Sequence, residues 1–158
     1  MLEQPLVNIF IIEDQAYAIP ISCITRVVRA VEVTNVPNST GSLLGVIVYQ
    51  RIILPVLNLR YILHLPAKEM DIDDRILILN IQDKQIAIVA DRLVNIITLN
   101  EENLLPPDPI LSNSDIRHII QTDNCVVFLL DIENLIKHND EQLLEKFMND
   151  QHYTSVHE

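Results

Sequence analysis

The chain has 158 residues, 22 Asp+Glu against 11 Lys+Arg for a formal net charge of -11, 49% hydrophobic residues, two Cys, no Trp and only two Gly. At roughly 100–200 residues per domain, this length carries one domain or two small fused subdomains with enough chain to bury a core. Average usage of about 7% Gly would supply about eleven glycines, so the phosphate-cradling loops of dinucleotide-binding and P-loop proteins lack their raw material and those classes are excluded. The negative charge repels phosphate backbones and the few cations are scattered, so no nucleic acid partner is expected.

The longest strongly apolar runs, such as Cys125–Leu130, reach about six residues, against roughly 18 for a bilayer span, so no direct membrane insertion is expected. The start Met1-Leu2-Glu3-Gln4-Pro5 has neither the basic nor the apolar part of a secretory signal. A cytoplasmic location follows as an expectation, with Cys23 and Cys125 read as free core thiols in a reducing compartment.

The 24 Ile and 14 Val fall in short runs between polar turn clusters, the signature of strands. The first set is predicted at Leu6–Ile12, Ala16–Ile21, Thr25–Val33, Gly45–Tyr49 and Ile52–Leu57. In Asn58–Leu65, Leu59, Ile62 and Leu63 recur at helical spacing before Pro66 and the acidic stretch Glu69–Asp74, which reads as a connector. The second set is predicted at Arg75–Ile81, Gln85–Ala90, Leu93–Leu99, Ile116–Gln121 and Asn124–Asp131. Ile132–Met148 carries a broken apolar stripe, Leu135, Ile136, Leu143, Leu144 and Phe147, and is predicted as a helix. Gln151–Glu158 has no periodicity and reads as a frayed tail. Shifted by 69 positions, Phe10–Ile19 overlies Leu79–Ile88 with Ile12/Ile81, Asp14/Asp83, Ala18/Ala87 and Ile19/Ile88 identical. Both halves could therefore open with one duplicated hairpin, although hairpins in any Ile-rich all-β chain look alike.

Several motifs fall in one order: Tyr17-Ala18-Ile19-Pro20-Ile21, Val33-Thr34-Asn35-Val36-Pro37, Gly45-Val46-Ile47, then Ile53-Leu54-Pro55-Val56-Leu57-Asn58-Leu59-Arg60. Ile86-Ala87-Ile88-Val89-Ala90-Asp91 with Val94 and Ile97 follows, then Leu105-Pro106-Pro107 and the stretch Val127–Leu135. From about Leu6 to Ile136 this order resembles the CheW-like chemotaxis adaptors. The resemblance implies an all-β fold of two five-stranded, Src-homology-3-like barrels in a single domain over 1–150. The first barrel is expected over about 6–60 plus part of the C-terminal region, the second over about 75–131, with a helix at 132–148. It also implies a non-catalytic scaffold without cofactor in two-component signalling, whose partners are a histidine kinase of the CheA type and methyl-accepting chemoreceptors.

Two departures bear on partner binding. Family members read Arg-Gly in the turn between the fourth and fifth strands, where this chain has Gln50-Arg51; a remodelled turn is expected, because glycine there supplies positive φ. The family's V-x-E-I appears as Ile24-Thr25-Arg26-Val27, a charge reversal. Ile24, Arg26, Val27, Gln50 and Arg51 are therefore the candidate partner-binding residues, an apolar centre with a charged rim, and a divergent or pilus-type chemosensory array is the expected setting. The bland reading is that these arginines only solvate a barrel surface in an acidic protein.

Other residues carry no chemistry by their spacing. His64, His118, His138, His152 and His157 make no H-x-x-x-H or H-E-x-x-H motif, and Asp71, Asp73 and Asp74 lack the Gly and distal Glu of a calcium loop, so no metal is expected. No triad motif surrounds Ser22, Cys23 or Ser42, so no catalytic residue is expected either. Asp91 and Asp131 each close an apolar strand, where capping is the ordinary role. The competing function, a small-ligand-binding β-barrel or a hydrolase built on one, predicts a cavity with converging polar groups.

Overall fold

A computed structural model describes residues 5–37, 41–105, 115–123 and 125–138. Among them the strands are β1 (Leu6–Ile12), β2 (Gln15–Pro20), β3 (Ile24–Arg29), β4 (Leu43–Tyr49), β5 (Ile52–Leu57), β6 (Arg75–Ile81), β7 (Lys84–Ala90), β8 (Arg92–Thr98), β9 (Leu104–Leu105), β10 (Ile116–Gln121) and β11 (Val126–Leu130). A single 3-10 turn, Ile21–Cys23, leads into β3, helix α1 (Leu59–Ile62) follows β5, and helix α2 (Ile132–His138) follows β11. Ten of these strands lie where the β-branched runs predict them; β9, two residues long, was not foreseen. The tail and the expected helix beyond His138 lie outside the described residues.

The strands form a five-stranded sheet in the order β3-β6-β7-β5-β4 and a six-stranded sheet in the order β8-β1-β2-β11-β10-β9. The first closes on itself through a bridge between Thr34 and Val46, whose amides and carbonyls exchange hydrogen bonds of 2.8 and 2.9 Å. A Cβ on Gly45 would lie 2.3 Å from the Thr34 carbonyl oxygen, so this close approach requires glycine. The second is closed by the chain itself, since β8 and β9 at its two ends are joined by the Asn100–Asn103 turn.

This division differs from a first barrel over about 6–60 plus part of the C-terminal region and a second over about 75–131. β6 and β7 join β3–β5, while β1 and β2 join β8–β11. The cause is a reciprocal exchange. After the β1–β2 hairpin the chain crosses over, so that β3 pairs with β6; after the β6–β7 hairpin it crosses back, so that β8 pairs with β1. The registers repeat residue for residue. Ile24 opposes Leu79, Val27 opposes Leu77 and Arg29 opposes Arg75; offset by 69, Leu93 opposes Phe10, Ile96 opposes Asn8 and Thr98 opposes Leu6. Each pairing also has its bulge at the same place. The β4–β5 and β10–β11 hairpins repeat likewise, offset by 73, with Leu43 opposite Leu57 and Ile116 opposite Leu130. Duplication therefore extends well beyond the ten-residue match.

Alternation along the central strands feeds two cores. Val7, Ile9, Ala16, Ala18, Val127 and Leu129 fill the six-stranded barrel. Ile47, Leu54, Val56, Ile76, Ile78 and Ala87 fill the five-stranded one. The opposite faces of the same strands, Phe10, Ile12, Tyr17 and Ile19 against Leu77, Leu79, Ile81, Ile86 and Ile88, form a third and largest core between the barrels, closed by α1 and α2. Strands buried on both faces read as continuous aliphatic runs rather than as an apolar/polar alternation. Cys23 packs half-buried against this shared core, as expected of a core thiol, whereas Cys125 is exposed at the start of β11, a correction to its reading as buried.

Candidate functional site

The five candidate partner residues lie on the five-stranded barrel. Tyr49 pairs with Ile52, so Gln50-Arg51 is a two-residue hairpin turn, with φ of 50° and 67° and both side chains exposed. The turn expected to be remodelled keeps left-handed backbone at both positions and carries it on long side chains. Two consecutive positive φ values match the right-handed strand twist, which is why this geometry persists without glycine. On β3, Arg26 is exposed, while Ile24 and Val27 are half-buried and pack against the shared core. Ile24 and Val27 differ in parity; the bulge between Ile24 and Arg26 brings them to one face. Val28 points instead into the barrel.

A second cluster was not foreseen. Asn58 caps α1, its Oδ1 accepting the Tyr61 amide at 3.2 Å, which sets Arg60 in the first turn of the helix. The Arg60 guanidinium, 14% exposed, donates from Nη2 to both Asp91 carboxylate oxygens at 2.8 and 2.7 Å. Its Nη1 donates to Glu13 and, at 2.8 Å, to the Pro66 carbonyl. Asp91 also accepts the Glu13 amide at 2.9 Å. Burial alone would lower the Arg60 pKa, but the hydrogen bonds from Glu13 and Asp91 outweigh it and hold the group above its usual value. In the sequence Arg60 and Asp91 each end a separate motif, and nothing in either motif says that the two meet.

Beside Arg60 lies a cleft of about 360 Å³ between the five-stranded barrel and the connector. Leu44, Leu57, Val33, Val89 and Met70 line it with apolar surface, and Lys68, Glu32 and Glu69 are among its charged residues. Lys68 Nζ is 3.0 Å from Asp74 Oδ1, and the buried Asp74 also accepts the Asp71 amide at 2.8 Å. The acidic connector thus folds on itself through local turns. Arg60, Lys68, Asp74 and Asp91 beside the cleft are committed to ion pairs, and the barrel interiors are filled with aliphatic side chains, so the arrangement favours docking of a surface over chemistry on a small molecule.

The family model of the CheW-like domain matches residues 7–140. The chain belongs to the CheW-like domain family. It is 30% identical over 130 residues to the chemotaxis protein CheW of Helicobacter pylori, covering 81% of this chain and 79% of that one. To the CheW of Bacillus subtilis it is 24% identical, covering 85% and 88%. Its fold resembles the crystal structure of the scaffolding protein TtCheW from Thermoanaerobacter tengcongensis, with a TM-score of 0.77 at 21% identity over 85% of this chain and 94% of that one. The CheW-like assignment makes the chain a chemotaxis adaptor or scaffold, and the ligand-binding barrel is not favoured. Among the described residues no helix is long and apolar enough to cross a membrane.

Proposed function

We propose that this CheW-like chain acts without catalysis in the cytoplasm, as a rigid bridge that couples methyl-accepting chemoreceptors to a histidine kinase of the CheA type. The observation that carries this reading is the core shared between two filled barrels. A bridge transmits geometry only when both of its docking faces are ordered before binding, so that little conformational freedom is lost on association. One face is the exposed Gln50-Arg51 turn and Arg26 of β3, backed by Ile24 and Val27, which pack toward the shared core. The other is the cleft beside Arg60, whose apolar floor and mixed-charge rim fit the apolar edge of a partner's helix.

The reversed charge at Arg26 and the shift of the turn's Arg from position 50 to position 51 support a kinase surface other than the family's usual one, as in a divergent or pilus-type array. Like charges facing across an interface cost several kcal/mol, roughly, so such changes redirect partner choice. Co-purification from the same organism tests the reading: the chain should retain a CheA-type kinase and receptors. The double variant Gln50→Arg with Arg51→Gly should shift retention among the organism's kinases. A chain that captures no kinase and no receptor overturns the proposal.

A further inference from the structure

The internal repeat relates the two ends of the inter-barrel interface, yet they differ in chemistry. Asn58 and Asp131 are equivalent, and each caps the helix that follows its strand, Asp131 Oδ1 accepting the Asn134 amide at 3.2 Å. Two residues on, Arg60 corresponds to Glu133, and the partner Glu13 corresponds to Gln82. At one end the half-buried Arg60 guanidinium holds two carboxylates and a carbonyl. At the other, Gln82 Nε2 donates to Glu133 at 3.5 Å, the outer limit of a hydrogen bond, with both side chains exposed.

We propose that Arg60 is the positioning residue that sets the angle between the two barrels, and with it the geometry in which one partner is presented to the other; this rests on the adaptor reading above. The contacts of Arg60 span the interface. Arg60 itself follows β5 of the five-stranded barrel, Glu13 sits in the β1–β2 turn of the six-stranded barrel, and Asp91 is the single residue at which the chain passes from β7 to β8. The guanidinium is planar and its two terminal nitrogens form a fork of fixed geometry, Nη2 donating to Asp91 and Nη1 to Glu13 and the Pro66 carbonyl, whereas aliphatic packing in the shared core has no preferred direction beyond shape. Rotation of the barrels that parts them at Arg60 must break that fork. The same rotation at the other end parts the long Gln82–Glu133 hydrogen bond between two exposed side chains. The interface is therefore pinned on one side and compliant on the other.

Pulsed dipolar spectroscopy on the full chain tests this, with spin labels at Val31→Cys on the five-stranded barrel and at the native Cys125 on the six-stranded barrel, in a Cys23→Ala background. The unaltered site should give one narrow distance distribution. Arg60→Met should broaden it at least two-fold, Arg60→Lys, which keeps the charge and loses the fork, should fall between, and Glu133→Gln should leave it unchanged. In reconstituted arrays Glu13→Gln, which loosens the same cluster from outside the docking cleft, should lower receptor-dependent kinase stimulation at least two-fold while affinity for the isolated kinase changes less than two-fold. Glu13→Gln provides a milder variant if Arg60→Met does not fold, and should broaden the distribution in the same sense. Unchanged widths in these variants, equal broadening from Glu133→Gln, or broad distributions with full stimulation would each overturn the proposal. Failure of the unaltered chain to bind kinase or receptor would instead sink the adaptor reading and leave the distance result standing.

Discussion

Left-handed backbone in this protein falls on residues other than glycine. Gln50 and Arg51 in the β4–β5 turn have φ of 50° and 67°, Gln82 and Asp83 in the β6–β7 turn 54° and 65°, and Glu13 in the β1–β2 turn 57°. Gly45 is needed elsewhere, where the barrel closes on Thr34. An L side chain in this region costs roughly 1–2 kcal/mol relative to its preferred conformations. Arg51→Gly should therefore raise stability by about 1 kcal/mol, partly offset by the greater freedom of glycine in the unfolded chain. The urea midpoint should move up with an unchanged m-value, and a downward shift would show that the Arg51 side chain contributes a contact that its exposure conceals. At this scale the sequence exposed Gln50-Arg51 as a polar break between aliphatic runs, but not that the turn would keep its shape. Hairpin geometry is set by strand twist as well as by the residues in the turn.

Each central hairpin presents one face to its own barrel and the other to the shared core, and equivalent positions do equivalent work. Ile19 and Ile88 occupy matched places in the repeat, both fully buried in the inter-barrel cluster. Ile19→Ala and Ile88→Ala should each cost about 3 kcal/mol, within the range for deleting a large buried aliphatic side chain, and the two costs should agree to within about 1 kcal/mol. Guanidinium denaturation of the two variants checks this; a strong inequality would mean that the two halves of the shared core differ in rigidity. Strand positions were legible because β-branched runs between polar turns have few alternative structures. Strand partnership was not. β3 (ITRVVR) and β8 (RLVNIIT) mix polar and apolar residues without strict alternation, so nothing local in them says which neighbour each meets or marks them as exchanged. The Arg60 cluster stayed hidden for a related reason: Glu13, Arg60 and Asp91 are brought together only by that topology.

Titration of the molecule follows from the same core. Burial pushes the Tyr17 phenol above its ordinary 10.0, and burial, assisted by the nearby Glu133 and Asp131 carboxylates against the opposing Ser22 hydrogen bond and Arg117, pushes the Cys23 thiol above 9.0. Both groups stay protonated longer in the native state than in the unfolded chain. The unfolded state therefore holds fewer protons above these values, and stability must fall as pH rises. Below about pH 8 this contribution should be complete; from pH 9 to 11 it should be progressively lost. Denaturant midpoints at pH 7.5, 9 and 10.5 measure the effect, and a midpoint at pH 10.5 equal to that at 7.5 would show that neither group is shielded in solution.

The exchange of β3 and β8 also dictates an order of assembly on the ribosome. Every strand of the five-stranded barrel lies between Ile24 and Ala90, so that barrel can close while the rest of the chain is still being made. The β1–β2 hairpin precedes β8, β10 and β11 in the chain and has to wait for them. Until then Val7, Ile9, Ala16 and Ala18 have no neighbours to cover them. The β1–β2 hairpin thus stays uncovered until the strands that close over it have been made, which makes that period the interval in which a chaperone matters most.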